Sequence, residues 1–364
     1  MKRNTFRRAV SGALIAASLA MVATATAATV YTETNSAGGN AVQVFSSGDD
    51  ELSSLSTTVS TGGLGTGAGL GNQGALAVTE DGRFLLAVNA GSNDISILAR
   101  SDEGLSLVDR VPSGGTKPVS VTVHGRLVYV LNAGDTGNIS GFRITGNGHL
   151  KAIADSTRPL SSTAAGAAQV GFDREGELLV VTEKATNNIS AYALADDRPV
   201  GPAAHSSNGM TPFGFAFDRR DTLLVSEAFG GRTNASALSS YDVDEPESLD
   251  VISGSVSTQQ TAACWVVVAR NGRFAYTTNT GSGTVSGFRV SRSGALTRLA
   301  PDGVSGVTGG GPTDAATTRD GRTLFVLSPS IGQIVAFRVR SDGSLGNLGT
   351  ATGALASATG LVVR

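Results

Sequence analysis

Short apolar runs along this chain alternate with polar positions at a spacing of two, and the pattern keeps returning. The clearest copies read DGRFLLAVNAGSNDISIL from Asp81, HGRLVYVLNAGDTGNISGFRI from His124, NGRFAYTTNTGSGTVSGFRV from Asn271 and DGRTLFVLSPSIGQIVAFRV from Asp320. Looser copies start at Arg174 and Arg219, and a seventh, TVYTETNSAGGNAVQVF, starts at Thr29 without its opening half. Each copy reads as a turn, a strand, a Gly-rich turn and a second strand. Ile139-Ser140-Gly141-Phe142-Arg143-Ile144 alternates with the period of a pleated strand, and Leu85-Leu86-Ala87-Val88 is a short buried-strand run, so helical repeats are excluded.

The spacing sets the architecture. Positions closing the first strand of each copy are Asn35, Asn89, Asn132, Glu183, Glu227, Asn279 and Ser328, separated by 54, 43, 51, 44, 52 and 49 residues. Such a unit has room for four short strands, which is one propeller blade. The expected fold is all-β: a single seven-bladed β-propeller of four-stranded blades over residues 28–364. A further short strand precedes each copy, as in Ala75–Val78, Ser120–Val123, Phe213–Phe217 and Trp265–Val268, and should line the axis. The chain ends on such a strand, Gly360–Arg364, and begins after residue 27 with the strand that should come next in the blade. The two termini are therefore expected to complete one blade together, a clasp that leaves no open sheet edge.

Residues 1–27 read as a cleaved signal peptide: Lys2, Arg3, Arg7 and Arg8, then the apolar run Ala13 to Val22, then a small-x-small site at Ala25-Thr26-Ala27. The apolar run is too short for a membrane span. Arg7-Arg8 raises twin-arginine export, but Ala9-Val10-Ser11 fits that signal poorly, so ordinary export to a periplasmic or secreted location is expected. The one cysteine, Cys264, allows no internal disulfide and reads as a buried thiol. A net charge of −2 without a basic patch argues against nucleic acid. No membrane insertion is expected, and a monomer is.

Candidate chemistry gathers at the channel mouth, where loops enter the inner strands and second strands end. The entry positions hold Ala75, Pro118, Gln169, Gly214, Trp265 and Asp314; Lys117 precedes Pro118 and Lys184 follows Glu183. The Asn residues of the exit ring read as turn chemistry, since Asn tolerates left-handed backbone and caps local groups. Glu183 and Glu227 replace it on adjacent blades, where paired carboxylates could hold a cation or share acid–base work, or merely sit as solvated rim charge. Trp265, the only Trp, reads as a stacking platform or as core. His124 and His149 fall in turns away from the channel, and His205 in a connecting loop. No spacing for zinc, calcium or nucleotide phosphate occurs, and no metal or cofactor is expected.

The repeated phrase, DGR, four apolar residues, N-x-G and an alternating strand, resembles the seven-bladed lactonase propellers, a family that includes 6-phosphogluconolactonase and 3-carboxymuconate cyclase-like proteins and is related to YVTN repeats. The resemblance covers Thr29 to Arg364. It implies a G-P-R-H sequence entering one inner strand and N-E ending the next, with imidazole and carboxylate moving protons and Arg holding an acid group. Here the matching blade reads Gly166-Ala167-Ala168-Gln169, then Thr182-Glu183. Only Glu183 carries over, as candidate general base, while Ala168 and Gln169 stand where Arg and His belong. Lys117 is a stand-in anion clamp. The expected function is an exported propeller binding a small lactone or sugar-like ligand through Lys117, Gln169, Glu227, Trp265 and Asp314, with lactone hydrolysis as its reaction if it is an enzyme. The alternative is a non-enzymatic YVTN-type envelope propeller.

Overall fold

The computed structural model describes residues 1, 28–47, 52–243, 245–270 and 272–364. The leader expected over residues 1–27 therefore lies, but for Met1, outside the described residues.

Seven antiparallel sheets form a ring, six of them with their strands in chain order from the axis outward. The inner strands of blades 2 to 7 are Leu76–Val78, Pro118–His124, Ala167–Phe172, Pro212–Phe217, Ala263–Ala269 and Asp314–Thr317. The inner strand of blade 1 is the C-terminal Thr359–Val363, paired to Thr29–Glu33 with Val30 opposite Val363 and Thr32 opposite Leu361. The expected clasp is thus present. The amide of Arg364 donates to the Thr29 carbonyl at 2.8 Å, and the reverse bond is also made. Between Thr32 and Glu33 the register slips by one residue. Gly360 takes up the slip at φ +69°, and a Cβ there would stand 2.9 Å from the backbone nitrogen of Leu76, so the bulge needs glycine twice over.

The pairing of the second and third strands corrects one expectation. In that register the end position equivalent to Asn89 in blade 1 is Thr34, which bonds back to Ala41, and not Asn35, which is a turn residue at φ +45°. The four-stranded blades are present, with the outermost strand of blades 3 and 6 in two pieces, Leu150–Ala152 with Arg158–Pro159 and Leu296–Arg298 with Gly306–Val307. One other expectation needs correction. His205 lies in the outer strand Arg198–Ser206, its Nε2 2.6 Å from the Pro246 carbonyl, and not in a connecting loop.

The core is the set of inter-blade contacts, filled by Val, Leu, Ile and Phe from the two middle strands of each blade. All five tyrosines of the chain are buried there, and each hydroxyl finds a partner, as a buried phenol must. Tyr129 of blade 3 donates to Asp197 of blade 4 at 2.7 Å, and Tyr276 of blade 6 to Gly343 of blade 7 at 2.7 Å, so the same repeat position pins one blade to the next.

Connections from an outer strand to the next inner strand run five to seven residues, with one exception. Between blades 1 and 2, residues 61–75 form a fifteen-residue linker. Its course decides what the channel mouth looks like.

Candidate functional site at the channel mouth

The second half of the long linker crosses the hub. Asn72, Gln73 and Ala75 are buried. Asn72 donates to the Val119 carbonyl of blade 3 and accepts from Thr359 Oγ1 of blade 1 at 3.1 Å. The Asn72 carbonyl accepts from the Trp265 indole N–H of blade 6 at 2.5 Å. The Gln73 amide N–H donates to Ala168 of blade 4 at 3.1 Å, and the Gly74 carbonyl accepts from Val121 at 2.8 Å. In blade 5 the closest approach is to Gly214, where a Cβ would stand 2.1 Å from Gln73 Oε1. Glycine at 214 is what lets the linker pass.

Asp314, at the start of the blade 7 inner strand, completes the seat. Its carboxyl accepts backbone N–H groups from Ala315, from Leu361 of the C-terminal strand and from Gly74 of the linker. Burial still lifts it to about 8. Near it lies Glu33, which the repeat pattern did not single out. Glu33 is fully buried without a well-formed hydrogen bond, and burial, against a partial offset from the Asn40 side chain and with Asp314 adding to it, holds this acid well above the usual carboxylate range. Such a buried carboxyl beside a second one is most stable as the neutral acid.

Around the linker tip stand Phe213 and Trp265, their ring centroids 5.3 Å apart, with Ala168 and the buried Cys264 thiol behind them. Burial pushes that thiol up to about 11, so it is no nucleophile at neutral pH. The Lys184 ammonium lies 4.7 Å from the Phe213 ring centroid and donates to the Gly71 carbonyl. Burial lowers Lys184 to about 8, with the nearby Lys117 adding to the drop against an opposing pull from Cys264. Lys117 is exposed, at φ +55°, its backbone N–H fixed by Asn93 at 2.7 Å. Among the described residues neither lysine has an ion-pair partner.

The remaining expected residues sit elsewhere. Gln169 spends its amide on the neighbouring inner strand, donating to the Phe215 carbonyl at 3.0 Å and accepting from its N–H at 2.7 Å, so it ties blade 4 to blade 5. Glu183 is fully buried at its strand end. It accepts from Ser161 N at 3.0 Å, Ser161 Oγ, Thr186 Oγ1 at 2.9 Å and Ser190 Oγ at 2.8 Å. Glu227 likewise accepts from Gly209 N at 2.8 Å, Ser239 Oγ at 2.5 Å and Ser255 Oγ at 2.6 Å, and burial raises its carboxyl. Asn89 bonds Asp94 and Ser96 in the same place, and Asn279 bonds Thr284 and Ser286. The exit ring is therefore a repeated staple joining the second strand to the third, made with Asn in some blades and Glu in two. These buried side chains are not rim charge. For Glu183 to act as a base, one of four hydrogen bonds must break.

The structure thus brings Trp265, Asp314, Lys117 and Lys184 to the hub and keeps Gln169, Glu183 and Glu227 in the framework around it. Asn72, Gln73 and Glu33 carry no mark in the repeat pattern. The one signal for the first two is the length of the gap after blade 1, more than twice that of its counterparts.

Comparison with known proteins agrees with this architecture. The family model described as lactonase, 7-bladed beta-propeller, matches residues 30–159 and 228–357. The unmatched stretch between them, residues 160–227, holds Ala168, Gln169 and Glu183. No curated protein matches. Among solved structures, a Lactobacillus plantarum protein is 16% identical with a TM-score of 0.72, covering 93% of this chain and 99% of that one. The periplasmic gluconolactonase of Pseudomonas aeruginosa is 16% identical with a TM-score of 0.69, over 93% and 99%. A candidate 6-phosphogluconolactonase from Bacteroides fragilis is 18% identical with a TM-score of 0.69, over 94% and 99%. With the family model matched over most of its length, the chain belongs to the seven-bladed β-propeller lactonase family.

Proposed function

We propose that this protein is an exported propeller that binds a small sugar acid or its lactone at the channel mouth. The observation that carries the reading is the Lys184 ammonium, seated over an aromatic ring beside Lys117 with no carboxylate partner among the described residues. A desolvated cation without a counter-ion is a receptor for an anion. Phe213 and Trp265 offer flat apolar faces of the kind that sugar rings pack against. The relative named as a periplasmic gluconolactonase points the same way, to an aldonic acid or aldonolactone outside the cytoplasm. Export rests on the leader motif of residues 1–27.

Binding, rather than hydrolysis, is the function proposed. Ala168 and Gln169 stand where the family's Arg and His belong, and the surviving Glu183 has four donors and no exposure. Calorimetric titration with D-gluconate, beside a pH-stat assay on D-glucono-1,5-lactone, tests the reading. Saturable binding with hydrolysis no faster than background is expected. Robust turnover that Glu183→Gln abolishes would replace binding by catalysis, and no binding of acid or lactone would remove the ligand reading.

A further inference from the structure

We propose that the linker tip, Gly71 to Gly74, is a lid seated in the ligand site, and that a small molecule reaches Trp265 and Phe213 only when this lid lifts. The inference rests on the mouth being the ligand site.

The linker has two halves of different character. Residues 61–68 are anchored. Thr61 Oγ1 donates to Asn89 Oδ1 at 2.7 Å, Thr66 N to Asn35 Oδ1 at 2.8 Å, and Asn35 Nδ2 to the Ala68 carbonyl at 2.6 Å. A Cβ on Gly63 or Gly65 would run into Asn89 or Asn35. Beyond Ala68 comes Gly69, with no heavy atom within 4 Å of its Cβ position, and then the tip. Seven of the fifteen linker residues are glycine, so the chain can swing about Gly69 and Gly71 at small steric cost.

The tip is held by polar contacts. Leu70, just before it, is the one large apolar side chain buried in the linker. The rest is hydrogen bonding between small polar groups and the hub strands, and each such bond nets little because water can replace it. A lifted tip frees a matched set of groups: the Trp265 indole N–H, the Val266 N–H and the Lys184 ammonium as donors, and the Val119 and Val266 carbonyls as acceptors. Two of these donors suit a carboxylate and the acceptors suit hydroxyls, which is the pattern of a polyhydroxy acid. The tip satisfies that set with its own carbonyls and amides.

Amide hydrogen exchange on the ligand-free protein tests the lid directly. The N–H groups of Gln73 and Gly74 are expected to exchange at least tenfold faster than the hub amide of Val170, by an opening insensitive to low denaturant. Equal protection for both would mean a permanent plug and would overturn the proposal. The Asn72→Ala/Gln73→Ala double variant supplies the second arm. Provided its melting remains cooperative, it should leave Trp265 more quenchable by acrylamide and bind D-gluconate about tenfold more tightly than wild type. Tighter binding supports the lid, and unchanged or weaker binding contradicts it. If neither protein binds gluconate the ligand reading fails, while the exchange result still decides whether the tip opens.

Discussion

Gln73 and Val266 lie 193 residues apart in sequence and are joined by two hydrogen bonds: the Gln73 amide donates to the Val266 carbonyl at 2.9 Å and accepts from the Val266 N–H at 3.0 Å. The side chain thereby imitates a strand neighbour for blade 6 from across the hub. Gln169 does the same for Phe215 from blade 4. Both glutamines supply the backbone groups that the inner strands lack where their registers slip. Hub stability and access to the mouth are therefore set by the same contacts.

Loss of the clasp should be severe. Deleting residues 360–364 removes the buried Leu361 and Val363, each worth about 2 kcal/mol, and leaves Thr29–Glu33 as an open edge. The truncated protein should aggregate or melt at least roughly 10 °C lower by calorimetry. An unchanged melting temperature with monomeric behaviour would mean the ring closes without it.

Alkaline pH should weaken the fold. The folded-state values of Glu33 and Asp314 are raised, Asp314 to about 8, so the folded chain binds more protons than the unfolded one. Both contributions are complete below the ordinary carboxylate range and are lost as pH rises, that of Asp314 through about 8. The melting temperature should fall by several degrees between pH 5 and pH 9. Glu33→Gln imitates the neutral acid and should flatten that slope, and a slope identical to wild type would show that Glu33 does not titrate.

Ligand affinity should follow Lys184. Below about 8 the ammonium is charged and attracts a carboxylate, and above it the charge and the affinity are lost. Gluconate should bind at least tenfold more weakly at pH 9.5 than at pH 7, and Lys184→Met should bind weakly at both. Affinity independent of pH between those values would place the anion elsewhere.

Glu183 should matter for stability. Glu183→Ala leaves Ser161 N–H and three hydroxyls without their acceptor, at a cost of about 3 kcal/mol, read by denaturant melting. A variant as stable as wild type would show that these bonds contribute nothing.

The number of blades, the inner strands and the clasp were legible because strand alternation and turn chemistry are local, and a repeat reports them seven times. The mouth was not. An exit position such as Glu183 is near the channel in sequence phase, yet the pleat turns its side chain into its own blade, where Ser161 and Ser190 receive it. Glu33 was hidden because the repeat phrase put Asn35 at the strand end of blade 1, where the pairing of its second and third strands puts Thr34. The linker tip carries no alternation, and its path is fixed by partners more than a hundred residues away, such as Trp265 and Lys184. Such contacts leave no periodic trace.

Trp265 is the only tryptophan and its indole sits in the proposed site, so its emission measures the central claim most directly. Titration of the protein at pH 7 with D-gluconate should give a saturable change in Trp265 fluorescence, absent in Lys184→Met and steeper in Asn72→Ala/Gln73→Ala. Emission that stays constant into the millimolar range in both wild type and the double variant would contradict a sugar-acid site at the channel mouth.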